Sequence, residues 1–334
     1  MATSKDYRIS AIRMMCTLLV VVLHIFQQFE AVKPSIHVVT DWLNLGLVMF
    51  FCISAFLYSK RNRFDGVRWW FHRYKELILP SIIVGLTVLI VFCARGQLDA
   101  DKIKCTLMSC TGFQVWSQPK WMFIELWFLS YILFCYATLS FVHKIPCNKG
   151  SDKVFWGVLI LGSMLMQVLF LVLETVLKVE LFSVGVLLRF YIPYFVFRRY
   201  DIEDDSLKKI MIWITMMTFS AVGLICIIRY TDIVALPAAI EELAFIYTQT
   251  LAGFTVFYWL YHFLKFVDKP FILLRFSDYY SYEIYLTHCL FIAYRSSVIS
   301  AFNYSLVSVT FALALTILAS VLLRFTVETV KKVI

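Results

Sequence analysis

Charge is scarce in this chain of 334 residues, because only 16% of them are Asp, Glu, Lys or Arg. Soluble domains carry about a quarter of charged residues. This scarcity excludes a disordered chain and an ordinary soluble enzyme. The nine cysteines lie mostly within apolar runs, which excludes a secreted module held together by disulfide bonds. Cys105 and Cys110 share one polar segment, and whether they pair stays open.

Sequence signatures of common ligand sites are also missing. The chain contains no internal repeat, no low-complexity tract and no linker long enough for a second domain. It has no phosphate-binding loop, no dinucleotide fingerprint and no metal-ligand spacing. We therefore expect no metal and no tightly bound cofactor.

Apolar residues dominate the chain, at 61%, with 17% aromatic residues and a mean hydropathy of +0.79. Runs of about 17–25 apolar residues, the length that a helix needs to cross a bilayer, occur about ten times. The sequence predicts an all-α polytopic membrane protein with about ten transmembrane helices. The predicted spans are 9–29, 38–58, 77–94, 121–142, 154–177, 181–197, 210–228, 238–262, 281–299 and 304–323.

Basic residues alternate between the two sides of these spans. Of 31 Lys and Arg residues, 21 fall at the two ends of the chain and in every second loop, whereas seven fall in the other loops. The positive-inside rule then predicts that both termini are cytoplasmic. We interpret the net charge of +9 as a topology signal that also attracts anionic membrane lipids, and we expect no nucleic-acid partner. The chain is predicted to be one membrane domain, 1–334, in the cytoplasmic membrane, with no separate soluble domain.

Span 1 carries polar residues along one face. At 100° per residue, five polar positions fall within an arc of about 60°. They are Ser10, Arg13, Thr17, His24 and Gln28. Ionisable groups inside a membrane are costly, so each suggests a functional site. The stripe is predicted to line a passage from the cytoplasm to a reactive histidine. The alternative is that Arg13 reaches the inner headgroups and His24 is a packing residue.

Span 9 carries a second polar face. Ser281, Tyr285, His288 and Arg295 lie within about 80° of arc, whereas Glu283 and Thr287 face elsewhere. Hydrogen bonding between helices is an equally good explanation of this face. In span 6, Arg189 lies too deep to reach the headgroups and is expected to face the interior of the bundle.

The segment 59–76 is predicted to be a cytoplasmic loop with six cations, among them Arg61, Arg73 and Lys75. This charge suits a ligand with several phosphates, whereas the simpler interpretation is a topology signal that binds anionic lipid.

Short segments distributed along the chain form an ordered set. They are RMMCTLLVVVLH (Arg13 to His24), GLVMFFCISAFLYSKR (Gly46 to Arg61), FHRYKELILP (Phe71 to Pro80), LWFLSYILF (Leu126 to Phe134) and SYEIYLTHCLFI (Ser281 to Ile292). Together with the ten-span layout, this set resembles the acyltransferase-3 family of multi-pass membrane acyltransferases over nearly the whole chain. Three positions depart from the family pattern: Ala55 stands where Gly is usual, Glu76 where Arg is common and Glu125 where His is common.

The resemblance implies transfer of an acyl group, commonly acetyl from acetyl-CoA, to a hydroxyl of a surface or lipid-linked saccharide. It implies that His24 and Arg13 are catalytic, with His24 either a general base or the site of an acyl-imidazole. Arg61, Arg73 and Lys75 would bind the phosphates of the acyl-CoA donor. Glu125, Trp127 and His288 would bind the saccharide acceptor. The alternative function is a transporter of a sugar or acyl carrier, which we would expect to carry internal repeats and broken helices.

Overall fold

In the computed structural model, the chain is described at residues 6–30, 33–61, 64, 66–116, 126–147, 150–177, 183–231, 233–234, 236–292 and 297–333. Its secondary structure there is helical, and no residue within those ranges forms a strand. The helices are α1 (Tyr7–Glu30), α2 (His37–Leu43), α3 (Leu45–Ser59), α4 (Gly66–Ala94), α5 (Ala100–Cys110), α6 (Trp127–Val142), α7 (Asp152–Leu177), α8 (Val184–Arg199), α9 (Asp205–Tyr230), α10 (Ala238–Phe263), α11 (Ile272–Phe291), α12 (Val298–Ala301) and α13 (Leu306–Val333).

The predicted all-α polytopic membrane architecture is confirmed. Every predicted span overlaps a helix, and seven helical segments in the described part of the chain are long and apolar enough to cross a membrane. The other three predicted spans correspond to α6, α8 and α11, which are shorter or more polar. The count of ten spans therefore stays a prediction.

The expected loop at 59–76 is wrong in its second half, because α4 already begins at Gly66. A hydropathy window detects only the part of a helix that lies in hydrocarbon, whereas the backbone hydrogen bonds continue into the polar interface. Trp69 anchors this first part of α4, since its ring is buried against Tyr136 with the centroids 5.9 Å apart. The expected outer loop 95–120 likewise contains a helix, α5.

The predicted span at 281–299 is also displaced. Helix α11 begins at Ile272, soon after Pro270, and ends at Phe291, and the short α12 follows. The polar residues Arg275 and Asp278 in its first turns lower the local hydropathy and concealed this start.

Two compact units make up the structure. The first comprises Met1–Ile12, Leu45–Phe64 and Thr138–Lys269, and the second comprises Arg13–Asn44, Asp65–Ala137 and Pro270–Ile334. Helices α1 and α6 each contribute residues to both units. The single membrane domain predicted for residues 1–334 stays a prediction.

In the first unit, α10 packs against α3, α8 and α9, and α7 packs against α8. Aromatic rings fill the space between α3, α8 and α10: Phe197 lies 5.2 Å from Phe56 and 5.7 Å from Phe257, measured between ring centroids. Lys60 donates a hydrogen bond of 2.8 Å to Asp201, which lowers the pKa of that carboxyl group. This ion pair joins the end of α3 to the segment between α8 and α9.

Close approach of α3 and α10 depends on Gly253, because a Cβ atom there would overlap the side chain of Val48. We expect Gly253→Ala to lower the free energy of unfolding by about 1–3 kcal/mol, the usual cost of overpacking. The measurement is the thermal midpoint of purified protein. Gly223→Ala is the control, because a Cβ atom on that part of α9 meets open space. Equal midpoints for the two variants would contradict the prediction.

In the second unit, α13 packs against α11, α12 and α4, and α5 packs against α4. Gly85 leaves room on α4 for the side chain of Cys110. Cys105 and Cys110 are buried and carry free thiols. They lie five residues apart on one helix, so their side chains point about 140° apart.

Candidate functional site

The polar stripe of span 1 lies on α1 and faces protein rather than lipid. Thr17 and His24 are buried, with His24 only 4% exposed, whereas Leu18 on another face is 54% exposed. The Thr17 hydroxyl donates a hydrogen bond of 3.0 Å to the Arg13 carbonyl one turn earlier, which satisfies it within the helix. The polar groups of α1 thus form part of the packed interior.

Two side-chain contacts join α1 to α11, and they occur in the same order along both helices. The Arg13 guanidinium forms an ion pair of 3.2 Å with Asp278, and three turns further along α1 the ring of His24 lies 5.0 Å from that of His288. Between these two contacts, α1 and α11 advance by a similar number of residues, as parallel helices require. Parallel packing agrees with the predicted topology, in which spans 1 and 9 cross the membrane in the same direction.

The two imidazoles form the centre of the candidate site. His288 is fully buried, and the two ring planes are tilted by 36°. The His24 Nδ1 atom lies 2.6 Å from the side-chain oxygen of Gln27, and the His288 Nδ1 atom lies 3.1 Å from the Ile284 carbonyl oxygen. With an oxygen opposite each Nδ1 atom, the hydrogen-bond geometry assigns the proton to Nδ1 and the lone pair to Nε2 in each ring. A neutral imidazole with this tautomer is able to accept a proton at Nε2.

Aromatic rings continue the site toward α6. The Tyr285 ring lies 5.9 Å from His288 and 5.8 Å from Phe128. Trp127, a predicted acceptor residue, precedes Phe128 at the start of α6, and its ring lies 5.9 Å from that of Tyr131. Glu125 and Arg295, the other residues predicted near this end, lie outside the described residues.

Apolar packing encloses the C-terminal parts of α1 and α11. Val21, Ile292, Ile299 and Ala312 form a buried cluster of α1, α12, α13 and the residue after α11. The Ser297 hydroxyl donates a hydrogen bond of 2.9 Å to Gln28, which ties α1 to the start of α12. This packing lowers the dielectric around the histidines, which strengthens the electrostatic interactions there.

The predicted donor-binding cations belong to two different units. Arg73 and Lys75 occupy α4 in the second unit, where a spacing of two residues points their side chains about 160° apart. Arg73 forms an ion pair of 2.5 Å with Glu76, and Lys75 is exposed. Arg61 belongs to the first unit, where its guanidinium lies 5.6 Å from the centroid of the Phe64 ring. Their role in donor binding stays a prediction.

The sequence predicts no role for Asp278 or for Gln27. Asp278 lies seven residues before Tyr285, which places it on the polar face of α11, but the predicted span began three residues too late to include it. Gln27 lies about 60° around α1 from His24, outside the polar stripe. A longer span 9 would have included Asp278, whereas no periodic pattern indicates Gln27.

The opposite face of α11 serves packing, in agreement with the expectation that Glu283 and Thr287 face elsewhere. Glu283 accepts a hydrogen bond of 3.0 Å from Arg324 of α13, and Thr287 contacts Ser320 at 2.7 Å. In the first unit, Arg189 is buried and donates a hydrogen bond of 2.8 Å to Gln249, which confirms that it faces the interior. Interhelical hydrogen bonding explains these polar groups.

Among the described residues, no group of three or more His, Cys, Asp or Glu side chains is arranged to hold a metal ion. The candidate site comprises the buried histidine pair, the Arg13–Asp278 ion pair and the aromatic rings of Tyr285 and Phe128.

These features define a polytopic membrane protein with a buried pair of histidines among its helices. The chain belongs to the acyltransferase-3 family, because a family model described as an acyltransferase domain matches residues 6–325. The protein is a membrane acyltransferase, and the match covers essentially the whole chain. A search of curated proteins and a search of solved structures find no match.

Proposed function

We propose that this acyltransferase moves an acyl group, most commonly acetyl, from acyl-CoA to a hydroxyl of a surface or lipid-linked saccharide in the cytoplasmic membrane. The observation that supports it best is the buried histidine pair, in which His24 presents its lone pair on Nε2. A sugar hydroxyl is a weak nucleophile and needs a base of this kind.

In the proposed reaction, His24 Nε2 accepts the proton of the sugar hydroxyl while the oxygen attacks the thioester carbonyl. The carbon–sulfur bond breaks, and coenzyme A leaves as the thiol after taking that proton from His24. In the other route, His24 Nε2 attacks the thioester carbonyl, the carbon–sulfur bond breaks and coenzyme A leaves as the thiolate. The sugar hydroxyl then attacks the acyl-imidazole, its proton passes to the thiolate, and His24 is regenerated. Both routes require His24 and produce the same ester.

The donor is proposed to enter from the cytoplasmic end of α1. Arg13 lies there, about 16 Å from His24 along the helix, a distance that suits an extended pantetheine arm. The phosphates of the donor would meet Arg13, Arg61, Arg73 and Lys75. Because Arg13 is held by Asp278, a donor phosphate would compete with that carboxylate for the guanidinium.

The acceptor is proposed to approach from the opposite end of α1. Trp127, His288 and Glu125 are the residues proposed to bind it. A tryptophan at the start of α6 offers an apolar face to a sugar ring and an N–H donor to its hydroxyls. We propose membrane lipids as the further partners and neither nucleic acid nor a tightly bound cofactor.

Neutralising Arg73 is expected to weaken donor binding. A charge-assisted contact with phosphate contributes about 1.5–3 kcal/mol, so Arg73→Gln should raise the Kd of coenzyme A about tenfold or more. Glu76→Gln should lower the Kd, because it releases Arg73 from its ion pair. Calorimetry on purified protein measures both values.

Arg275→Gln is the matched control for donor binding, since it removes an exposed cation of α11 in the same unit. If the Kd of coenzyme A were unchanged in Arg73→Gln, the basic residues of α4 would serve only as a topology signal.

The proposed topology places Lys208 inside the cell and Lys102 outside. In intact cells, an impermeant thiol reagent should modify Lys102→Cys and leave Lys208→Cys unmodified. The parent for both variants should lack Cys93, the exposed native cysteine. Modification of Lys208→Cys in intact cells would reverse the orientation and place the donor on the wrong side of the membrane.

A further inference from the structure

Gln27 follows His24 by three residues on α1 and contacts its ring. Its side-chain oxygen lies 2.6 Å from Nδ1 of the imidazole, one turn along the helix. Gln27 itself is exposed, whereas His24 is buried. An exposed amide therefore contacts a ring that lies in the packed interior.

The bond selects one of the two neutral forms of the imidazole. An amide oxygen only accepts hydrogen bonds, so Nδ1 must donate and the lone pair must lie on Nε2. With the opposite tautomer, Nε2 would carry the proton and would not be able to accept one from the substrate. A wrong tautomer is costly in catalysis even where the position of the ring is preserved.

We propose that Gln27 is a positioning residue, which fixes the orientation and the tautomer of His24 so that Nε2 faces the reacting hydroxyl. This inference rests on the proposed function, in which His24 is the base or the acyl carrier.

Nitrogen NMR of histidine tests the proposal without any substrate. The 15N shifts of the ring distinguish the two neutral tautomers, and six histidines give a spectrum simple enough to assign His24 by its absence in His24→Gln. In wild-type protein in lipid nanodiscs, we expect the form with the proton on Nδ1. Gln27→Leu should lose this preference, and Gln27→Glu should restore it, because a carboxylate also accepts from Nδ1.

Turnover should follow the tautomer. With acetyl-CoA as the donor and isolated membranes as the source of acceptor, we expect Gln27→Leu to reduce turnover per folded molecule at least tenfold with the KM for acetyl-CoA unchanged. Gln27→Glu should recover much of the loss. Gln167→Leu is the control: it removes an amide from α7 in the first unit and should leave both the His24 tautomer and turnover as in the wild type.

Two results would overturn the inference: a proton on Nε2 of His24 in the wild-type protein, or the same tautomer in Gln27→Leu as in the wild type. These results concern Gln27 alone. If instead His24→Gln retained turnover, the proposed function would fail, whatever the tautomer of His24.

Discussion

His24→Ala is expected to abolish acyl transfer while the protein still folds and binds coenzyme A. Loss of a general base costs about 10²–10⁴-fold in rate, and loss of an acyl-carrying nucleophile would stop that route completely. The measurement pairs the amount of folded protein in purified membranes with ester-linked acyl groups in the surface glycan. His24→Gln should behave in the same way, because the amide has the size to fill the site but no basic nitrogen.

A packing histidine would give a different result. Its replacement would expose a cavity beside His288 and lower the yield or the thermal midpoint, and the remaining folded molecules would keep their specific activity. Near-normal turnover per folded molecule in both His24 variants would refute the catalytic role. It would also favour the alternative in which both rings serve only packing between helices.

Arg324→Met is expected to have the largest effect on stability. Arg324 pairs with Glu283, which is 1% exposed, so the variant leaves a carboxylate unpaired inside the helix bundle. Removing one partner of a buried ion pair costs about 3–5 kcal/mol; because Arg324 itself is partly exposed, we expect about 3 kcal/mol. Equilibrium unfolding in mixed micelles measures this loss.

The double variant Arg324→Met with Glu283→Gln keeps this prediction testable even if the single variant fails to fold. Removing both charges should recover most of the lost stability, because no uncompensated charge remains. Glu328→Gln is the matched control, since it removes the exposed partner of the same arginine and should cost less than about 1 kcal/mol. A double variant no more stable than Arg324→Met would show that the charge on Glu283 is not the cause.

The amino-acid sequence by itself determined the class of the protein and much of one helix. Runs of apolar residues predict membrane helices because hydrocarbon leaves no other partner for the backbone polar groups. The periodicity of the helix placed Arg13, Thr17 and His24 on one face, and that face is the one packed against protein. The short ordered segments indicated the family, which the match over residues 6–325 confirms.

The sequence predicts the ends of the helices less accurately than their centres. Hydropathy detects only the membrane-buried part of a helix. It therefore predicts loops at the polar first turns of α4 and α11, where the structure has helix. Because the start of α11 was missed, Asp278 was not assigned to the polar face of that helix. Because the start of α4 was missed, its cations looked like a cluster on one loop, although they point in different directions around a helix. Arg73 and Lys75 are close in sequence, yet the turn of the helix directs them apart.

The tertiary structure decided which faces meet. A periodic pattern gives the direction of each side chain around its own helix, but partners that lie 41 to 265 residues apart on different helices carry no local signal. Only packing brought His288 to His24, Asp278 to Arg13 and Glu283 to Arg324. Polar groups inside a membrane protein must find partners among themselves, because lipid supplies none, and the arrangement of α1, α11 and α13 provides them.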